Sequence, residues 1–302
     1  MGASTTQATQ ATQAMQESRG MWLGLVGVGI FSLTLPFTRM AVAELNPVLV
    51  ALGRAVVAAI GSAVLLWWIG APRPTPRQWR ALAVTALGVV IGFPVFSSIA
   101  MRYVPASHGA VVVGILPLAT ALFGALRFGE RPSTGFWIAA VAGSALVVGF
   151  ALWQGGGEFH LADLALFAAV VAAAMGYAEG GRLSQEMGGQ QVICWALLLS
   201  MPILLPVTLW LCWNYGVQAS PRAWIGFGYV SLFSMFIGFF FWYKGLALGG
   251  IARVGQVQLL QPFMTLIGAA LILGESLDAR NILFALAVVA VVAVGRRMGI
   301  RR

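Results

Sequence analysis

"ILPLATALFGALRFGE", residues Ile115 to Glu130, and "LQPFMTLIGAALILGE", residues Leu260 to Glu275, are two copies of one pattern. Pro117, Thr120, Ala125, Leu126, Gly129 and Glu130 recur in order as Pro262, Thr265, Ala270, Leu271, Gly274 and Glu275, at a constant offset of 145 (262 − 117). An apolar alphabet raises the chance rate of such matches, yet six identities in sixteen positions ask for a structural cause.

Composition identifies the solvent. With 60% apolar residues, 9% charged residues and a mean hydropathy of +0.88, a chain of 302 residues lacks the polar surface to cover a water-soluble globule. Apolar runs of about 20 residues are long enough to cross a hydrocarbon core as helices. Ten such runs are present: 21–40, 47–69, 81–101, 106–126, 135–153, 162–178, 191–211, 224–243, 252–273 and 281–295. Period-2 alternation is absent, and lipid leaves the backbone of an open strand unsatisfied, so the runs read as helices and not barrel strands. The expected fold class is an all-α integral membrane protein with ten transmembrane helices.

Little lies outside the spans. The first 19 residues, "MGASTTQATQATQAMQESR", are poor in apolar side chains and read as a disordered tail. They lack the basic flank of a signal peptide, and the run that follows is long enough to remain as a span. Cys194 and Cys212 fall on one predicted helix about 27 Å apart at 1.5 Å per residue, too far to bridge.

The net charge of +9 is decided by its distribution. With the N-terminus on side one, that side carries Arg19, Arg73, Arg77, Arg80, Arg127, Arg131, Arg182, Lys244, Arg253, Arg296, Arg297, Arg301 and Arg302. Side two carries Arg39, Arg102, Arg222 and Arg280, and Arg54 lies inside a span. The positive-inside rule then puts both termini in the cytoplasm. No extramembrane surface is large enough for a nucleic-acid groove of clustered cations and interleaved aromatics.

The opening repeat now has a cause. An offset of 145 maps span 4 onto span 9 and span 5 onto span 10, so residues 20–153 and 154–302 each hold five spans. Five is odd, so the second copy enters the bilayer in the opposite orientation, with Glu130 near the cytoplasmic face and Glu275 near the outer one. Such an inverted-topology repeat has two natural arrangements, inward-open and outward-open, and points to a transporter. An enzyme is disfavoured: two His and no intramembrane carboxylate pair leave no metal site and no acid–base constellation. No cofactor is expected.

Pro47 followed by Arg54, the run "YVPASHGAVVVGILPLATALFGALRFGE" and the run "KGLALGGIARVGQVQLLQPFMTLIGAALILGE" resemble the drug/metabolite transporter superfamily in its ten-span EamA type. The resemblance extends from Met21 to Gly295 and is strongest to bacterial exporters of aromatic amino acids. It implies outward movement of amino acids across a bacterial inner membrane. It also implies a central cavity lined by spans 1, 3, 4, 6, 8 and 9, with 5 and 10 peripheral. Partners are then a small-molecule substrate and membrane lipid, with no obligatory protein partner and no nucleic acid.

On those spans the cavity-lining candidates are Phe31, Thr34, Phe93, Phe96, Ser97, His108, Tyr177, Trp242, Gln258 and Gln261. Aromatic faces suit an apolar side chain, and hydroxyls and amides suit a zwitterionic head. Gln258 and Gln261, three apart, share a helix face. The ordinary reading sends several of these to lipid or to a packed neighbour. Arg54, Pro117, Pro262, Glu130 and Glu275 are read as structural or gating residues. Arg54 either steadies a substrate carboxylate or, as the favoured reading, ties up backbone carbonyls. Pro36, Pro94, Pro117 and Pro262 interrupt spans at interior depth, where freed backbone can face a cavity. His108 reads as a packing residue or a substrate hydrogen-bonder, His160 as inert, and Glu179 as snorkelling or paired with Arg182. Span 1, "MWLGLVGVGIFSLTLPFTRM", holds no carboxylate, so a weakly coupled or uncoupled carrier is predicted. The alternative is a proton-coupled multidrug or metabolite efflux carrier of the same fold.

Overall fold

The structure is a computed structural model that describes residues 2–128, 131–154, 160–249, 254–297 and 300–301. It is all-helical apart from a two-residue strand pair, Arg131–Pro132 with Ile300–Arg301. In chain order the helices are α1 (Met15–Val42), α2 (Pro47–Trp68), α3 (Pro76–Tyr103), α4 (Ala106–Arg127), α5 (Thr134–Gln154), α6 (Leu161–Met187), α7 (Gly189–Tyr215), α8 (Pro221–Gly249), α9 (Val257–Leu273) and α10 (Ala279–Arg297). Among the described residues, seven of them (α1 to α4 and α6 to α8) are long and apolar enough to cross a membrane. The chain is a multi-pass membrane protein. Helix precedes α1 back to Gly2, taking in the tract that composition reads as disordered. The physical reason is that its Ala, Gln, Met and Glu are strong helix formers, and no Gly or Pro stands between Ala3 and Arg19 to stop extension of a helix already nucleated.

Start and stop signals are local. Asn46-Pro47, Thr75-Pro76 and Ser220-Pro221 each pair a capping side chain with proline at the first helical position, which opens α2, α3 and α8. Gly188, Gly216 and Gly274 end α6, α7 and α9 at positive φ, a conformation that other residues rarely adopt.

Irregularities inside the rods fall in related places. α3 is π-helical over Ala86–Gly92 and α8 over Tyr229–Ile237; adding 145 to 86–92 gives 231–237. α4 breaks at Gly114 and Ile115 and restarts at Leu116, while α9 passes from 3₁₀ geometry over Gly255–Leu260 to α-helix at Gln261. Again 116 + 145 = 261. Each interior proline named above follows such an irregularity by a few residues, because proline lacks an N–H and crowds the preceding turn. The two broken helices meet at these points: a Cβ on Gly114 would lie 3.2 Å from Pro262 Cγ.

Close packing uses small residues. A Cβ on Gly20 in α1 would lie 2.5 Å from the Gly249 nitrogen in α8, and one on Gly88 in α3 would lie 2.5 Å from the Ala172 carbonyl in α6. Without a hydrophobic drive between helices in lipid, such backbone approach supplies dispersion contact. α2 packs on α7, and α5 on α10. Contacts also fix the direction of the rods. α1 and α3 finish, and α4 and α8 begin, at one end of the bundle, gathered around Arg39, Arg102, Glu44 and Glu275. α6 begins at this end too, since Asp163 in its first turn meets His108 in the first turn of α4.

Candidate functional site

Six helices cross around a small central void. α1 contributes Phe31 and Thr34, α3 Val89 and Phe93, α4 Leu116, α6 Ala173 and Tyr177, α8 Ser234, Met235 and Phe239, and α9 Gln261. α2 adds Arg54. α5 and α10 add nothing among the described residues. The void measures about 20 Å³, room for a single water. Ligand pockets run to hundreds of Å³, so the void in this conformation is too small for a ligand of that size.

The walls combine aromatic and polar side chains. Phe31 packs edge-on against Phe239 at 5.0 Å between ring centroids and parallel to Tyr177 at 6.3 Å. Thr34 and Ser234 hydroxyls hydrogen-bond to each other at 2.8 Å, joining α1 to α8 across the wall. Arg54 is 1% exposed, and neither its Nε nor its Nη1 donates to any described protein group.

A second cluster closes one end of the bundle. Gly274 turns the chain at φ 69°, which points Glu275 at the start of α4. There its carboxylate accepts from Ala106 N at 2.8 Å and Ser107 N at 2.9 Å, with Arg39 Nε at 3.5 Å. An anion on the free N–H groups of a helix start is favoured by hydrogen bonding and by the dipole together. In the second copy of the pattern the glycine-acid ending is therefore a turn followed by a cap for another helix. Arg39 also donates to the Met101 and Val104 carbonyls at the end of α3, while Arg102 of α3 donates to Val42 and Ala43 at the end of α1, a reciprocal pair of C-terminal caps. Arg222 donates to Ile272 O at the end of α9. Glu44 accepts from Ser220 N and Oγ, both at 2.6 Å, which hold its carboxyl below the ordinary carboxylate range. Together these groups line a vestibule of about 560 Å³.

Of the residues predicted for the wall, Phe31, Thr34, Phe93, Tyr177 and Gln261 reach it. Phe96 lies outside, 38% exposed, three residues past Phe93 on the same α-helical stretch and turned away from the void. Ser97 is buried but folds its hydroxyl back to Pro94 O at 3.3 Å. Trp242 stands one layer behind, its ring 5.6 Å from Tyr177. Gln258, one 3₁₀ turn before Gln261, is buried outside the wall with Nε2 unpartnered among the described residues. His108 is no lone imidazole: its Nε2 lies 2.6 Å from Asp163 Oδ1, away from the wall. Asp163 Oδ2 also accepts from His160 N, so the loop histidine opens α6. Glu179 takes Arg127 of α4 as a partner at 3.2 Å. Arg54 stands in the wall, and its Nε and Nη1 meet no described backbone carbonyl of the kind expected from its position. Pro117 and Pro262 follow the breaks in α4 and α9, and Glu130 lies outside the described residues. Sequence reasoning missed Ser234 and Phe239. Ser234 lies 145 residues after Val89 (234 − 89), another wall residue absent from the sequence-derived set, so the repeat relates the two only once the wall is known.

The profile of the EamA-like transporter family matches residues 18–152 and, a second time, 160–295. The chain belongs to the EamA-like transporter family. By that membership it is a membrane transporter. Similar proteins include the "Uncharacterized transporter YdeK" of Bacillus subtilis, 46% identical over 94% of this chain and 99% of that one. A "Probable terminal-alkyne amino-acid exporter" of Streptantibioticus cattleyicolor is 24% identical over 86% of this chain and 88% of its own length. A solved crystal structure aligns with a TM-score of 0.62 at 17% identity, covering 92% of this chain and 96% of the other, a likeness of fold alone.

Proposed function

We propose that this EamA-family transporter exports amino acids, aromatic and other neutral ones, and similar small metabolites from the cytoplasm across a bacterial inner membrane. The observation that carries the reading is the central void at the crossing of α1, α3 and α4 with α6, α8 and α9, lined by aromatic and polar side chains together. That combination suits an apolar side chain beside a zwitterionic head. The name of the Streptantibioticus relative supports the substrate class.

Alternating access is the mechanism proposed, by rocking of residues 20–153 against 154–302 as two oppositely oriented five-helix halves. Supporting it are the double match of one family profile, the recurrence of helix irregularities at 145 residues, and the arrival of α1 at the end from which α6 departs. With both termini cytoplasmic, as the arginine distribution favours, the Glu275 cluster faces outward and holds the outer side shut. No acidic side chain lines the void among the described residues, which supports a carrier without tight proton coupling.

The test is counterflow in liposomes containing the purified protein, across a panel of L-amino acids, with and without a pH gradient. Exchange of phenylalanine, leucine and similar substrates, with no net accumulation when only a proton gradient is applied, is expected. Exchange no faster than in protein-free liposomes for every amino acid would overturn the reading, and accumulation driven by the proton gradient would favour the coupled alternative.

A further inference from the structure

We propose that Arg54 anchors the substrate's carboxylate, so that the cavity selects amphipathic compounds carrying one carboxylate and rejects their neutral amides; this rests on the transport reading above. Three observations converge on it. Arg54 lies in the wall of the void, 1% exposed, with Nε and Nη1 unpartnered among the described residues. No acidic side chain shares that wall among the described residues. The treatment of other buried charges is the reverse: Asp163 meets His108 at 2.6 Å and Glu179 meets Arg127 at 3.2 Å.

A guanidinium kept out of water without a counter-charge is strongly unfavourable, and ionisable groups inside membranes are retained where a pathway needs them. Its planar fork matches a carboxylate in two-point geometry, which an ammonium or an amide does not reproduce. The surroundings orient the rest of the ligand. Phe31, Phe93 and Phe239 offer a face for an apolar side chain. The Gln261 carbonyl oxygen, with the lone pairs that the Thr34–Ser234 hydrogen bond leaves free, can accept from an ammonium or an acylated nitrogen.

The anchor is single. The position 145 residues after Arg54 is Leu199 (54 + 145), and those facing Gln261 and Ser234 through the same offset are Leu116 and Val89. One half brings the cation and the other the amide, so a bound zwitterion has one preferred direction. A dicarboxylate would leave its second charge without a partner.

The experiment compares L-phenylalanine, N-acetyl-L-phenylalanine and L-phenylalaninamide on the wild-type chain, R54Q and R54K. Counterflow in liposomes and thermal unfolding in detergent are both read. Wild type is expected to prefer both acids over the amide by about tenfold or more, the scale of one charge-assisted pair. R54Q should lose that preference while melting no lower than wild type without ligand, because the change removes an unpaired buried charge. R54K should retain part of the preference. Equal handling of acid and amide by wild type would overturn the anchor while leaving transport intact, and needs no variant. R54Q that melts far below wild type and keeps its preference would also overturn it, in favour of a structural role. No flux of any of the three compounds through a wild type that exchanges other amino acids would overturn the anchor alone, and no exchange across the whole amino-acid panel would remove the transport reading and the anchor with it.

Discussion

Charge is treated in opposite ways at two depths of this molecule. At the end of the bundle, Arg39, Glu275, Arg102 and Glu44 each meet a helix terminus, so that acids sit on N–H groups and guanidiniums on carbonyls. At the centre, Arg54 meets none among the described residues. The difference separates charges that hold the protein together from a charge that the protein holds ready. Paired charges complete the backbone of helices whose ends have no partner of their own. An unpaired one makes the closed state pay for a site.

The comparison breaks first at the buried pair His108–Asp163. Asp163→Ala removes a side chain 1% exposed and leaves the buried imidazole and His160 N without their acceptor, at about 1–3 kcal/mol for the buried donor and more with the second bond. Thermal unfolding in detergent should show a large drop, where R54Q shows none. A similar drop for both would erase the distinction between holding charges and the waiting one.

Glu275→Gln is the next largest. An amide can still accept from one of Ala106 N and Ser107 N but gives up the charge, the second acceptor and the pairing with Arg39, at about 1–2 kcal/mol. Because Glu275 joins α9 to the start of α4, its neutralisation should also raise the rate at which a membrane-impermeant maleimide labels a cysteine placed at Ser107. Unchanged labelling would mean that this cap stabilises a helix without holding the two sides together. Gly274→Ala follows at about 1 kcal/mol. Nothing lies within 4 Å of the added Cβ, so the loss isolates the positive φ of 69° that the turn requires.

How much of this was legible in the chain follows from what each signal measures. Apolar runs report the solvent, and the solvent dictates helices, so the rods could be read. The repeated Pro and Gly-Glu positions report backbone events, and the kinks, the turn at Gly274 and the cap at Ala106 match them. Pairings did not show, because His108 and Asp163 are 55 residues apart and Arg127 and Glu179 are 52 apart, and nothing local in either member specifies the other. Facing failed at the resolution of a single turn. Phe93 and Phe96 lie three apart in the α-helical stretch Phe93–Tyr103, close together on a helical wheel, yet only Phe93 meets the void. Arg54 was visible as an intramembrane cation, while its lack of a partner is a property of the assembled bundle alone.

The smallest effect sharpens the comparison by pH. Glu44 lies between α1 and α2 and is clasped by Ser220 N and Oγ, the only described cap of this cluster that belongs to a fully solvent-exposed carboxylate. These donors favour the charged form and lower its pKa below the ordinary 4.5. A depressed carboxylate adds stability that is present in full above the unfolded value and is lost as pH falls through the folded one. The expected sign is therefore a wild type more stable than E44Q at pH 7, with a modest gap that stays level down to about pH 4.5 and narrows below it. Thermal unfolding of both chains from pH 7 to 3.5 reads the gap directly, and titrations common to the two cancel in the difference. A gap that widens on acidification would mean that the Ser220 donors do not favour the charged form. One that is level throughout would reduce the clasp to ordinary neutral hydrogen bonding, and would leave Glu275 as the sole acid of this end whose charge matters to closure.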